Sequence, residues 1–167
     1  ASEMAGLHER LFSTTSKSIT TFETVYVPSD DMLDHGVQSV FNYLDATVVL
    51  SRSVYQEGRY PALDLLSSLS SALKPEIVGE LHVRTAINAQ KLLKTAAALE
   101  RIASLIGESE LNDKDKVTYF RAKILKNYMT QSFYVTEAQS GKQGVFVPLD
   151  ETVKDVAAIL DGKYDNI

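Results

Sequence analysis

Apolar positions change period along the chain, and the change predicts the order of elements. Residues 2–11 set Met4, Leu7 and Leu11 on one side of a short helix. After the polar break Ser13-Thr14-Thr15-Ser16, the run SITTFETVYV (18–27) is rich in β-branched and aromatic residues and predicts a strand. Pro28-Ser29-Asp30-Asp31 ends it by turn chemistry. ATVVL (46–50) is continuously apolar, as a strand buried on both faces would be. Pro75 suits a first helical position, and Ile77, Leu81, Leu92, Ala96, Leu99, Ile102 and Ile106 recur at helical spacing through residue 106. Unbroken, that helix would span about 45 Å, with Gly79 softening its first turn. Gly107 to Leu111 forms the connection. Asn112, with Asp115 three residues on, caps a helix to about Met129 that turns Val117, Phe120, Ile124 and Tyr128 inward. Gln131 to Thr136 reads as irregular and Ser140 to Gly144 as a loop. Asp150 is expected to cap a last helix through Leu160, which Gly162 stops.

Strands therefore come first and antiparallel helices follow, with a soft boundary near Ser71 to Pro75. Two strands cannot form a stable sheet alone, so the N-terminal part reads as the edge of a larger sheet. The chain shows no internal repeat or low-complexity tract.

Composition narrows the partners. The 167 residues carry 17 basic and 22 acidic side chains, a formal charge of −5, which argues against a nucleic-acid partner. Cysteine is absent, which excludes disulfides and thiolate chemistry. No apolar run is long enough to span a membrane, and ASEMAGLHERLF lacks the apolar core of a leader.

Candidate chemistry is sparse. There is no glycine-rich phosphate loop. His8, His35 and His82 are not at metal spacing and read as surface or structural residues. Asp30-Asp31 is explained by a turn at a strand end, with a functional contact as the alternative. No serine sits in a nucleophile-elbow context. Two aromatics at loop positions remain, Tyr60 before Pro61 and Phe133 in the Gln-Ser-Phe break. Each has an ordinary structural reading. Each could also stack on a base, which contributes roughly 1–3 kcal/mol in nucleic-acid systems.

At these residues a family resemblance becomes specific. EMAGLHERL, SITTFETVYVPSDD, LDATVVLSR, RYPALD, PEIVGELH, TQSFYVTEAQSG, VPLDETV and ILDGKYD stand in the order they have in the C-terminal third of F-type ATP synthase beta subunits. The resemblance covers nearly the whole chain. It implies an α+β fragment: edge strands of a RecA-like α/β nucleotide-binding domain (1–74), followed by a mainly helical C-terminal bundle domain (75–167). It places Tyr60 where a tyrosine stacks on adenine, Phe133 across the same pocket, and Tyr26 near the phosphate end. Residues 107–116 become the loop facing the rotating stalk, with Ser109, Glu110, Leu111, Asn112, Asp113, Lys114 and Asp115 at its centre. ATP or ADP with magnesium is implied for the full assembly, without tight binding to this chain alone. The phosphate loop, general base and magnesium-binding aspartate of the family have no counterpart in the sequence, so no catalytic residue is assigned and the chain by itself is expected not to hydrolyse ATP.

The implied partners are alpha-type subunits and a gamma-type central stalk in a hetero-oligomeric ring. The implied place is the cytoplasmic face of a bacterial membrane, or the matrix or stromal side in organelles, with membrane contact only through the complex. Exposed strand edges could also pair with a second copy. Some positions depart from the family. Gln139 replaces a second pocket phenylalanine, Ser71 replaces an arginine, and the stalk loop is less acidic, with Glu110, Asp113 and Asp115 offset by Lys114. VTYFRAKILKNYM and LIGESELNDKD lean toward archaeal and vacuolar relatives. These departures keep open a second reading, a non-catalytic beta-like interaction or assembly module. A protein-export ATPase of the same superfamily is a third, which the acidic-loop domain and the GKYD ending disfavour.

Overall fold

The computed structural model describes residues 2–165. The chain divides into two compact units, residues 1–47 and 48–167.

In the first unit, helix α1 (Ser2–His8) precedes a long extended stretch, and helix α2 (His35–Phe41) follows it. Asp34 caps α2 by accepting from the amides of Gly36 and Val37 at 2.8 and 3.2 Å. The helix buries Val37 and Val40. Asp31 shapes the preceding turn by accepting from the Leu33 amide at 2.9 Å. Ser29 and Asp30 there take left-handed backbone angles. Strand β1 (Ala46–Thr47) is two residues long. The strand expected over 18–27 does not form. The segment is extended but has no ladder partner among the described residues, and Phe22 and Tyr26 stand 97% and 83% exposed. β-propensity alone cannot make a strand, because its hydrogen bonds belong to a neighbour.

The second unit opens with a folded-back segment. The Ser51 amide donates to the Ala62 carbonyl at 2.8 Å and the Asp64 amide to Val49 at 2.9 Å, and Leu50 bridges Leu63. Helix α3 (Arg52–Gln56) sits inside this loop, capped by Ser51. Strand β2 (Leu69–Ser70) precedes helix α4 (Pro75–Val78). The long helix is split at Gly79, whose φ of +81° breaks it, and α5 runs from Glu80 to Ile106. Helices α6 (Asp113–Tyr128), α7 (Glu137–Ser140) and α8 (Leu149–Leu160) complete the chain.

Helices α5, α6 and α8 pack on one another around Leu93, Ala96, Ala122, Leu125, Val156 and Ile159. Ala96 and Ala122, at 0% and 1% exposure, let the backbones approach closely. Leu65 and Leu66 pack against this core and seat the 48–70 segment on the bundle. A second cluster of Leu99, Ala103, Leu111 and Tyr119 closes the far end. Across the bundle, the Tyr128 hydroxyl donates to Asp155 at 2.7 Å. Burial first, then that carboxylate, pushes the phenol up to about 12.

The helical faces differ in part from expectation. On α6 the buried stripe is Tyr119, Ala122 and Leu125, while Val117 and Phe120 are nearly half exposed. On α5, Ala96 and Leu99 are buried as expected, but Leu81, Ile102 and Ile106 are exposed, as is Ile77 on α4. The 3.6-residue period permits two adjacent stripes, and the positions of the neighbouring helices choose between them. Asp150 is not the cap of α8. Pro148 occupies that position, and Asp150 lies in the first turn, where a carboxylate suits the positive end of the helix.

Candidate functional site

Tyr60 is positioned by the turn that ends α3. Gly58, at φ +73°, reverses the chain, and the Arg59 amide reaches back to the Val54 carbonyl at 3.4 Å. Tyr60 then joins Pro61 through a cis peptide bond. Its carbonyl accepts from the Gln131 amide at 3.0 Å. That bond sets the Tyr60 loop beside the segment carrying Phe133, so the structure brings the two loops together. The Tyr60 and Phe133 rings are 51% and 40% exposed, which leaves aromatic surface open to solvent. The ring that touches Tyr60 is not Phe133 but Tyr55, at 5.5 Å between centroids and 88° between planes. Partial burial, then the Tyr55 hydroxyl, raises the Tyr60 phenol above its ordinary value.

The Phe133 segment is folded on itself. The Val145 amide donates to the Ser132 carbonyl at 2.9 Å, and Gln131 Nε2 reaches the Val145 carbonyl at 3.3 Å. The Thr136 hydroxyl donates to the Phe133 carbonyl at 2.9 Å. Glu137 accepts from the Gly144 amide at 2.6 Å. Gln139 lies exposed on α7 and offers no stacking face. Tyr26 belongs to the first unit, at the end of the extended segment. Among the described residues, no group of three or more His, Cys, Asp or Glu is placed to hold a metal ion. The arrangement leaves two exposed aromatic residues on loops joined by one backbone hydrogen bond.

The loop between α5 and α6 is tied down at both ends. Gly107, at φ +97°, ends α5, and a 3-10 turn spans Glu108–Glu110. Leu111 inserts into the second cluster. Asn112 accepts from the Asp115 amide at 2.9 Å and donates to the Asp115 carboxylate at 2.7 Å. Glu108 accepts from Lys123 at 2.7 Å and from the Tyr119 hydroxyl at 2.6 Å. These two donors, Lys123 first, hold its carboxyl below the usual range. Lys123 also lies over the Tyr119 ring at 4.7 Å. Ser109, Glu110, Asp113 and Lys114 are exposed.

Sequence reasoning missed three residues here. Tyr55 stands five positions before Tyr60 and gives no motif. Glu108 has its partners only through the fold of α6. Gly144 lies under Tyr134, where a Cβ would come within 2.5 Å of that residue.

The chain is a loop-rich portion carrying exposed aromatics, followed by a three-helix bundle with a tethered polar loop. Residues 1–70 match the nucleotide-binding domain of the ATP synthase alpha/beta family, and residues 71–167 match the C-terminal domain of V and A type ATP synthase. The chain belongs to this family. The V/A description falls on the stretch that leans toward archaeal and vacuolar relatives. Among solved structures, ATP synthase subunit NeqB from Nanoarcheaum equitans is similar over 100% of this chain and 40% of its own length, at 22% identity and a TM-score of 0.81. The EscN ATPase of the enteropathogenic E. coli type III secretion system is similar over 95% of this chain and 37% of its own, at 23% identity and a TM-score of 0.75. At these identities the likeness is one of fold. The chain spans about two fifths of the length of the structures it matches.

Proposed function

We propose that this chain supplies the adenine side of a nucleotide site, and the stalk-facing loop, in a beta-like catalytic subunit of a rotary ATP synthase. Residues 1–74 would form the end of the nucleotide-binding domain, and residues 75–167 the helical domain. The observation that supports this best is the hydrogen bond from the Gln131 amide to the Tyr60 carbonyl, which sets the two aromatic-bearing loops side by side. Tyr60 would stack on adenine, Phe133 would flank it, and Tyr26 would stand toward the phosphates. The phosphates and magnesium would be held by parts of the subunit that this sequence does not carry. Residues 109–115 would bear on a gamma-type stalk, with alpha-type subunits as ring neighbours and proton movement coupled through the complex. Among the described residues no helix is long and apolar enough to cross a membrane, so membrane attachment through the complex is part of the same proposal.

The test is made in the assembled ATPase. Tyr60→Ala should raise the ADP concentration for half-saturation about tenfold, the loss of one stacking contact of roughly 1–3 kcal/mol, while Tyr60→Phe stays near the parent. Unchanged saturation in Tyr60→Ala would sink the assignment. The purified 167-residue chain should show no ATP hydrolysis; hydrolysis that Tyr60→Ala abolishes would contradict the division of labour.

A second reading, a non-catalytic beta-like module, is favoured by Gln139 and Ser71, both exposed and neither able to replace the aromatic or arginine of the family. Nucleotide saturation that is normal in an assembly whose turnover survives loss of this subunit's Tyr60 would favour it.

A further inference from the structure

We infer that Tyr55 is a positioning residue that holds the Tyr60 ring ready for a purine. This rests on the proposed adenine-stacking role of Tyr60 and adds a residue to it. Helix α3 begins at the Ser51 cap and ends at Glu57, and Gly58 turns the chain so that Tyr60 returns beside Tyr55. The two rings meet edge to face, at 5.5 Å and 88°. That geometry is attractive because the positive edge of one ring faces the negative face of the other.

Two restraints then act on Tyr60 from different elements. The Gln131 amide fixes its backbone through the carbonyl at 3.0 Å, and Tyr55 fixes its ring. Half of the Tyr60 surface stays open. An unsupported surface tyrosine would lose rotamer freedom on stacking, and that loss weakens binding. Tyr55 removes the freedom before a ligand arrives.

Tyr55 contributes little else. It is 58% exposed and belongs to neither buried cluster, and among the described residues Tyr60 is its ring partner. The raised Tyr60 phenol, caused by partial burial and then by the Tyr55 hydroxyl, agrees with the contact.

Adenosine is the probe, titrated into the purified chain carrying 13C-labelled tyrosine rings and followed by NMR. In the parent chain the Tyr60 resonances should shift with adenosine at millimolar concentration. Tyr55→Leu should move the Tyr60 resonances before any ligand is added and weaken adenosine about three- to tenfold. Tyr55→Phe keeps the ring, so its affinity should stay within about twofold of the parent while the Tyr60 phenol titrates at lower pH. Amide spectra report folding in each variant. Tyr55→Leu binding as the parent does, while Tyr60→Ala fails to bind, overturns the inference and leaves the adenine assignment standing. Tyr55→Phe losing as much as Tyr55→Leu also overturns it. If Tyr60→Ala binds like the parent, or the parent shows no adenosine shift at Tyr60, both fall.

Discussion

Replacing Gly144 by alanine tests whether the Phe133 loop is held by close packing. A Cβ at this position would lie 2.5 Å from Tyr134 Cδ1, 2.5 Å from the Tyr134 amide nitrogen and 2.6 Å from its Cα. Ordinary carbon contacts are about 3.5–4.0 Å, so the two strands of the loop must separate by about 1 Å. Two of the three atoms are backbone, and a rotamer change cannot relieve them. Overpacking of this kind costs about 1–3 kcal/mol. The amide of Gly144 donates to Glu137 and that of Val145 to Ser132, so separation strains both bonds. Gly141→Ala is the control. It meets nothing within 4 Å and carries only the strain of a left-handed residue at φ +65°, about 1–2 kcal/mol. Urea unfolding gives the global cost of each variant. A local opening of the loop caps what a global melt can register, so amide hydrogen exchange decides. Protection at Val145 and Gln131 should fall in Gly144→Ala and persist in Gly141→Ala. Equal stability within about 0.5 kcal/mol, together with unchanged Val145 protection, would refute the packing argument.

Leu125→Ala removes a side chain 1% exposed at the meeting of α5, α6 and α8, and urea melts should show a loss of about 2–5 kcal/mol; less than 1 would mean that the core is not where the helices place it. Asn112→Ala removes both capping bonds to Asp115 and should cost about 0.5–2 kcal/mol, with faster exchange confined to the first turn of α6. His8 offers Nδ1 to the Met4 carbonyl at 2.8 Å and Nε2 to Glu23 at 3.1 Å, and stacks on Tyr43 at 4.4 Å. The Met4 carbonyl first, and the Glu23 carboxylate as well, raise its pKa above 6.5 against partial burial. The stabilising contribution is therefore fully present below about pH 6.5 and is lost as pH rises through the folded value. An NMR titration of the His8 ring should place its midpoint above 6.5 and show it lowered in Glu23→Gln; a midpoint at or below 6.5 in the parent rejects the pairing.

The features legible in the sequence were those made by local chemistry. Asn112 caps because its side chain reaches an amide three residues on, and Pro75, Gly107 and Gly162 punctuate helices through their own backbone preferences. The failures share a different cause. SITTFETVYV has strand composition but no neighbour to pair with, and pairing is not a property of the segment. Val117 and Phe120 lie on a stripe that the helical period allows, yet α5 and α8 approach α6 from the side of Ala122 and Leu125. Loop position and residue type single out Tyr60 and Phe133 as candidates. The bond joining their loops spans 71 residues of sequence, from 60 to 131, and the Tyr55 contact follows from a glycine turn, so neither leaves a pattern.

The loop after α5 bears on how the proposed subunit would transmit force. A loop that merely carried charge would need no anchors. Here Leu111 is 6% exposed within the second cluster, and Glu108 is clamped to Tyr119 and Lys123 on the second and third turns of α6. Asp115 is engaged with Asn112, so Glu110 and Asp113 are the loop carboxylates left facing solvent. Lys126 pairs with Glu100, joining α6 to α5 again below the loop. Ala96 and Ala122 are fully buried in the same cluster, so sliding α5 along α6 would disturb close-packed core. In the proposed role, a displacement at Glu110 or Asp113 would pass to the helix pair through these anchors. The helix pair runs back toward the core against which Leu65 and Leu66 pack, a few residues beyond Tyr60 and Pro61. The proposed nucleotide-to-stalk role would run through these contacts, in a loop with fewer free acids than the family resemblance implies.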